Sequence, residues 1–124
     1  LEKPCSAGAL QELSARVLKA PVRLYGPPEH PVDTLGVEGG AYGEGWAEAA
    51  ALGAQAFLTG EVRHHEALAA LGEGVVLLEA GHYATEAPGL RALGDCLQTG
   101  RDTLQYPVAV SHASAASYPG ALKA

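Results

Sequence analysis

Methionine is missing from this chain of 124 residues, which starts with leucine. A processed product or a segment of a longer protein is the expectation, and no basic-then-apolar leader is left from which targeting could be read. Cysteine is nearly missing too, with Cys5 and Cys96 the only 2. Two thiols cannot make a disulfide framework, and neither lies in a CxxC. Both are read as small buried or half-buried side chains in a reducing cytoplasm. Positive charge is scarce, with 8 Lys and Arg against 14 Asp and Glu and a net charge of −6. With no basic cluster to neutralise phosphates, direct nucleic-acid binding is excluded as a general role. No apolar run reaches the ~18 residues of a membrane-spanning helix. The glycine-rich phosphate patterns GxGxxG and GxxxxGK[ST] are absent, as is the GxSxG of a serine nucleophile.

What is present belongs to a folded domain. Apolar residues make up 48% and charged residues 18% of the chain, which is not the composition of a disordered segment. The length suits one domain with its own core. The reading is a single α/β domain over 1–115 followed by a flexible tail at 116–124. A helix is predicted over 6–20, with Ser6 as its cap, Leu10, Leu13 and Val17 on its apolar side, and Pro21 as its stop. A strand follows at 22–25, then a proline-rich loop at 26–31, then a strand at 32–37. From there strand–loop–helix units succeed one another. The segment 34–37 leads through Glu38-Gly39-Gly40 to a helix at 46–52 closed by Gly53. The strand 56–58 leads through Thr59-Gly60-Glu61 to a helix that ends at 71 and is closed by Gly72. The strand 75–78 leads through Glu79-Ala80-Gly81 to a helix at 82–97. A last strand is predicted at 106–111. Short, apolar, unalternating strands joined in this way make a mainly parallel sheet with helices packed on it. Trp46 is read as a packing anchor.

Ligands of such a sheet gather at the carboxyl ends of its strands, and the polar residues concentrate there. His82 and Glu86 stand one turn apart on one helix face, where an imidazole and a carboxylate can reach a single divalent ion. The competing reading has Glu86 complementing the helix N-terminus and His82 as a capping or core residue. His64 and His65 point about 100° apart, so they do not both face one ion easily. Their alternative is a solvated helix face shared with Arg63 and Glu66. Glu61 is either a general base or a helix-start carboxylate. The glycines of 38–40 either admit the close approach of a backbone or ligand, or form a tight turn.

Two segments carry a resemblance. Ala56-Phe-Leu-Thr-Gly-Glu-Val-Arg-His-His65 and Val75-Val-Leu-Leu-Glu-Ala-Gly-His-Tyr-Ala-Thr-Glu86 resemble the carboxy-terminal half of the NIF-three-like family. That family is also called dinuclear metal centre, or GTP cyclohydrolase type-two-like, proteins. Its members pair a TG[DE]…H segment with a GH[FY]xTE segment some fifteen to twenty residues on. Here these read Thr59-Gly60-Glu61…His65 and Gly81-His82-Tyr83-Ala84-Thr85-Glu86. Val37-Glu-Gly-Gly40 matches the family's glycine-rich turn, and the resemblance covers about 1–115.

The resemblance implies an α/β protein of two similar lobes, a homo-oligomer often built as a hexameric ring, with two divalent ions in a cleft between the lobes. Zinc, iron or manganese are the candidates. It implies His82 and Glu86 as metal ligands and places His65, rather than His64, near the same cleft, with Glu61 and His65 as the proton-moving candidates. The family's paired His-His-Pro and an Asp belong to the other lobe. Here His64-His65 is followed by Glu66, so the chain is expected to be the carboxy-terminal lobe with half a metal site. The implied function is a metal-dependent hydrolase of the GTP cyclohydrolase or phosphoester type, acting on a small molecule. The alternative is a non-catalytic oligomeric metal-binding scaffold, suggested by how few polar residues converge.

Overall fold

The computed structural model describes residues 1–100. Helix α1 (Ala7–Leu18) begins where Ser6 Oγ accepts the Ala9 N–H at 3.2 Å, the cap expected of it. It stops before Pro21, at Lys19, which takes a left-handed conformation with φ 54°. Its inward side differs from the predicted one. Ala7, Leu10 and Ser14 are buried, whereas Leu13 and Val17 are 47% and 69% exposed. The small side chains at 7 and 14 let the helix settle close to its neighbours, and the bulkier Leu13 and Val17 are left outward.

The predicted strand at 32–37 is two strands. β3 (Pro31–Val32) pairs antiparallel with β1 (Cys5–Ser6), while β4 (Leu35–Val37) enters the main sheet. The break has a cause. The N–H groups of Asp33 and Thr34 both donate to the Gln55 side-chain oxygen, at 3.0 and 2.9 Å, instead of to a neighbouring strand.

The main sheet has the order β2 (Arg23–Tyr25), β6 (Val76–Glu79), β5 (Ala56–Thr59), β4. β4, β5 and β6 are parallel, and β2 lies antiparallel on the outer edge of β6. The fold is therefore α/β with a mainly parallel sheet. Burial on both faces explains why the central strands do not alternate. Ala56, Leu58, Val76 and Leu78 join Ala7 and Leu10 of α1 in one core cluster. Phe57 and Leu77, pointing the other way, join Ala67 and Ala70 of α3 (His64–Gly72) in a second, with Trp46 at the start of α2 (Trp46–Ala51) packed against it. Leu77 and Leu78 are completely buried.

Helix α3 includes Gly72, and the left-handed turn that follows falls on Gly74 instead. Helix α4 (His82–Gly100) runs past the predicted end at 97 and holds Pro88 without interruption. The predicted strand at 106–111 and the tail at 116–124 lie outside the described residues. Among the described residues no helix is long and apolar enough to cross a membrane.

Candidate functional site

Because β4, β5 and β6 are parallel and paired in register, their carboxyl ends lie side by side. The segments that leave them are laced together by backbone bonds. Gly60 N–H donates to Gly40 O at 2.9 Å, Ala80 N–H to Thr59 O at 3.0 Å, and Gly81 N–H to Gly60 O at 3.0 Å. The buried Thr59 hydroxyl donates to Gly40 O at 3.2 Å. Gly40 N–H reaches across to Thr85 Oγ1 on the first turn of α4, at 3.0 Å. Glycine at 60 is a requirement of this lacing: a Cβ there would lie 2.5 Å from Gly40 O and 2.8 Å from His82 Cα. The glycines of 38–40 thus admit a close backbone approach, to α4, and the motif threonines are the tie points.

His82 opens α4 between two carboxylates. Its Nδ1 lies 2.9 Å from Glu61 Oε1, and its Nε2 lies 3.2 Å from Glu86 Oε1 one helical turn on. The spacing of His82 and Glu86 places them on one face, as the sequence predicts. The imidazole is held more basic than its ordinary 6.5, first by the hydrogen bond with Glu61. The charge of Glu86 adds to this, and loss of water around the ring opposes it.

His64 and His65 begin α3 and are both exposed. Among the described residues no hydrogen bond or ion pair joins either of them to Glu61, His82 or Glu86. A solvated face that includes Glu66 is corrected. Glu66 is only 7% exposed, and its Oε2 accepts the Arg63 N–H at 2.6 Å, so it caps the first turn of α3.

Glu79, the last residue of β6, is in the sequence one of several polar residues at strand ends. In the structure its Oε2 accepts from Tyr25 Oη at 2.8 Å and Arg23 Nη1 at 3.5 Å, and its Oε1 from Val62 N–H at 3.3 Å. The signal was a carboxylate closing an apolar strand, but its partners come from other elements and carry no local mark. Beside Glu61 lies a cavity of about 380 Å³, with Glu44, Arg63, Glu66 and Glu79 also in its wall.

A divalent ion fits the His82–Glu86 pair in part. A neutral ring nitrogen and a carboxylate oxygen are borderline-to-hard donors of the type such ions take. Among the described residues no group of three or more His, Cys, Asp or Glu is arranged to hold one ion, and Glu61 occupies the far nitrogen of the ring. The described residues therefore offer two donors.

The sequence profile of the family Duf34/NIF3 (NGG1p interacting factor 3) matches residues 1–117. The chain belongs to the Duf34/NIF3 family. It is 34% identical over 106 residues to the GTP cyclohydrolase 1 type 2 homolog of Treponema pallidum, covering 82% of this chain and 37% of that protein. It is 40% identical over 68 residues to the homolog of the same name in Streptomyces coelicolor, covering 54% of this chain and 24% of that one. Among solved structures, Staphylococcus aureus protein SA1388 superposes with a TM-score of 0.80 at 22% identity, over 96% of this chain and 39% of that chain. Protein ybgI superposes with a TM-score of 0.71 at 29% identity, over 80% and 40%. The Duf34/NIF3 chain thus spans about two fifths or less of the length of these relatives. At 22% identity the first of these structures speaks for the fold alone.

Proposed function

We propose that this Duf34/NIF3 chain carries part of the metal centre of a metal-dependent hydrolase, with His82 and Glu86 as ligands to zinc, iron or manganese. The observation that carries the reading is the pair itself: Nε2 and Oε1 lie 3.2 Å apart at the carboxyl ends of parallel strands, with Gly40 set against both. Two donors leave room for a second ion and for ligands from beyond the described residues, in keeping with a site completed by another lobe. An ion held by His82 and Glu86 would supply Lewis-acid chemistry to a substrate oxygen or to water. The protein's own side chains would orient the substrate and move protons. Glu61, at the ring's other nitrogen, and His65, exposed on α3, are the candidates for proton movement. The cavity beside Glu61, walled by Glu44, Arg63, Glu66 and Glu79, is large enough for a small molecule to reach Glu61. The curated relatives are named for GTP, so a nucleotide is the substrate proposed first and another phosphoester second, and the scarcity of cysteine suits a cytoplasmic setting.

A second reading, a non-catalytic oligomeric scaffold, draws on a different observation. Leu90, Leu93 and Leu97 of α4 are 61%, 56% and 41% exposed at a spacing that puts them on one side of the helix. Such a stripe suits a homo-oligomer whether or not the site is catalytic.

Metal per chain is the deciding measurement, made after loading with zinc, manganese or iron and desalting. Metal that is retained by the chain and lost in the His82→Ala, Glu86→Ala double variant supports the site. Equal retention in both sinks it. Turnover of GTP or a phosphoester that depends on the retained metal separates hydrolase from scaffold.

A further inference from the structure

We infer that Glu61 is a positioning residue, whose carboxylate selects the ring nitrogen that His82 turns toward its metal, and that Glu79 holds Glu61 in place to do so. The inference rests on the metal reading above for its consequence, but its geometry stands without metal.

A neutral imidazole carries one proton, and the acceptor at one nitrogen decides which nitrogen keeps a lone pair. His82 has a carboxylate at each nitrogen, so the choice is real. Glu61 Oε1 is 2.9 Å from Nδ1, and Glu86 Oε1 is 3.2 Å from Nε2. The inferred arrangement has the proton on Nδ1, at the shorter contact, and the Nε2 lone pair toward Glu86, where the two donors share one side. With the opposite tautomer Nε2 would donate to Glu86 and have no lone pair for an ion. A carboxylate on the far nitrogen of a metal-binding histidine is a recurrent way of making this choice.

An exposed glutamate on a free loop would do this poorly, because its side chain and backbone would both need ordering. The loop at 60–63 is not free. Gly60 N–H is bound to Gly40 O at 2.9 Å, Val62 N–H to Glu79 Oε1 at 3.3 Å, and Arg63 N–H to Glu66 Oε2 at 2.6 Å. Glu61 is thus pinned on both sides, and only its side-chain torsions remain. Glu79 is itself fixed, since Tyr25 Oη at 2.8 Å and Arg23 Nη1 at 3.5 Å hold its other oxygen. The edge strand β2 is in this way coupled to the ring orientation at the start of α4.

The test uses the full chain with nitrogen-15-labelled histidine, free of metal, at a pH well above the imidazole titration. His82 is assigned from the spectrum of His82→Ala. The expected result is the Nδ1–H tautomer in the parent chain. Glu61→Ala should convert it to Nε2–H, and Glu61→Gln, whose amide oxygen still accepts, should keep Nδ1–H. Tyr25→Phe, which deletes one hydroxyl, should shift the population the same way as Glu61→Ala but less. An unchanged tautomer in Glu61→Ala overturns the positioning role, and an unchanged spectrum in Tyr25→Phe overturns the part given to Glu79. Zinc titrations of the same samples should show an affinity about 10–100-fold weaker in Glu61→Ala, largely restored in Glu61→Gln. If the tautomers respond as stated and no sample binds zinc, the metal reading fails and the control of the ring by Glu61 stands.

Discussion

Gly40 is set against Glu86 so tightly that a single added methyl would touch the carboxylate: a Cβ at Gly40 would lie 2.7 Å from Glu86 Oε1 and 3.4 Å from His82 Nε2. Gly40 also has φ +78°, which an L side chain rarely adopts. Gly40→Ala is therefore expected to cost about 1–2 kcal/mol of stability from the backbone alone. It should also displace the Glu86 side chain. Urea unfolding reads the first effect, and zinc retention, falling further than a purely global loss of stability would explain, reads the second.

Thr85 latches the same segment, accepting the Gly40 N–H at 3.0 Å. Thr85→Val keeps the shape and removes the acceptor, so the Gly40 donor is left without its partner. A loss of about 1 kcal/mol is expected, with Thr85→Ser close to the parent. A serine variant as destabilised as valine would show that the methyl group, not the oxygen, matters.

Glu66 should behave as a structural carboxylate. It is 7% exposed and accepts the Arg63 N–H at 2.6 Å, and a Cβ on Gly43 would run into its Oε2. Glu66→Ala is expected to cost about 1–2 kcal/mol, visible as a lower midpoint in thermal or urea unfolding, with metal content unchanged. Loss of metal at full stability would move Glu66 from the cap to the site.

In the metal-free chain, His82 is expected to titrate above 6.5, chiefly through its hydrogen bond with Glu61. A histidine whose folded pKa is raised lends stability that is complete below its unfolded pKa and lost as the pH rises through its folded pKa. Stability should thus decline slightly as the pH climbs from about 6.5 through the raised value. His82→Gln should flatten that decline. Unfolding midpoints across this interval, with chelator present, make the check, and an equal slope in both chains would contradict it.

The stripe on α4 makes a prediction about assembly. Leu93 is 56% exposed between Leu90 and Leu97, so Leu93→Glu costs little folding energy but breaks an apolar contact between copies. Sedimentation is expected to show an oligomer for the parent chain and a smaller species for the variant, with unchanged circular dichroism. A parent chain that sediments as a monomer would remove the oligomer from the proposal.

The amino-acid sequence by itself determined the elements whose signals are local. The apolar runs at 56–58 and 75–78 and the glycine-rich turns after them mark strands buried on both faces, because β5 and β6 each send alternate side chains into two cores. The spacing of His82 and Glu86 marks one helix face, because a helix repeats every 3.6 residues wherever it forms. Ser6 marks a cap for the same reason of locality. Which way α1 turns was not legible, since Leu10, Leu13 and Val17 and the actual inward set of Ala7, Leu10 and Ser14 both fit a helical period. Only the packing partner chooses between them. The split of the predicted strand at 32–37 depended on Gln55, about twenty residues away. The carboxylate that orients His82 lies 21 residues before it in the chain, and the donors that hold Glu79 lie 54 and 56 residues from it. Parallel strands in register bring these groups together. Their meeting is a property of the sheet rather than of any stretch of sequence, so only the tertiary structure could decide it.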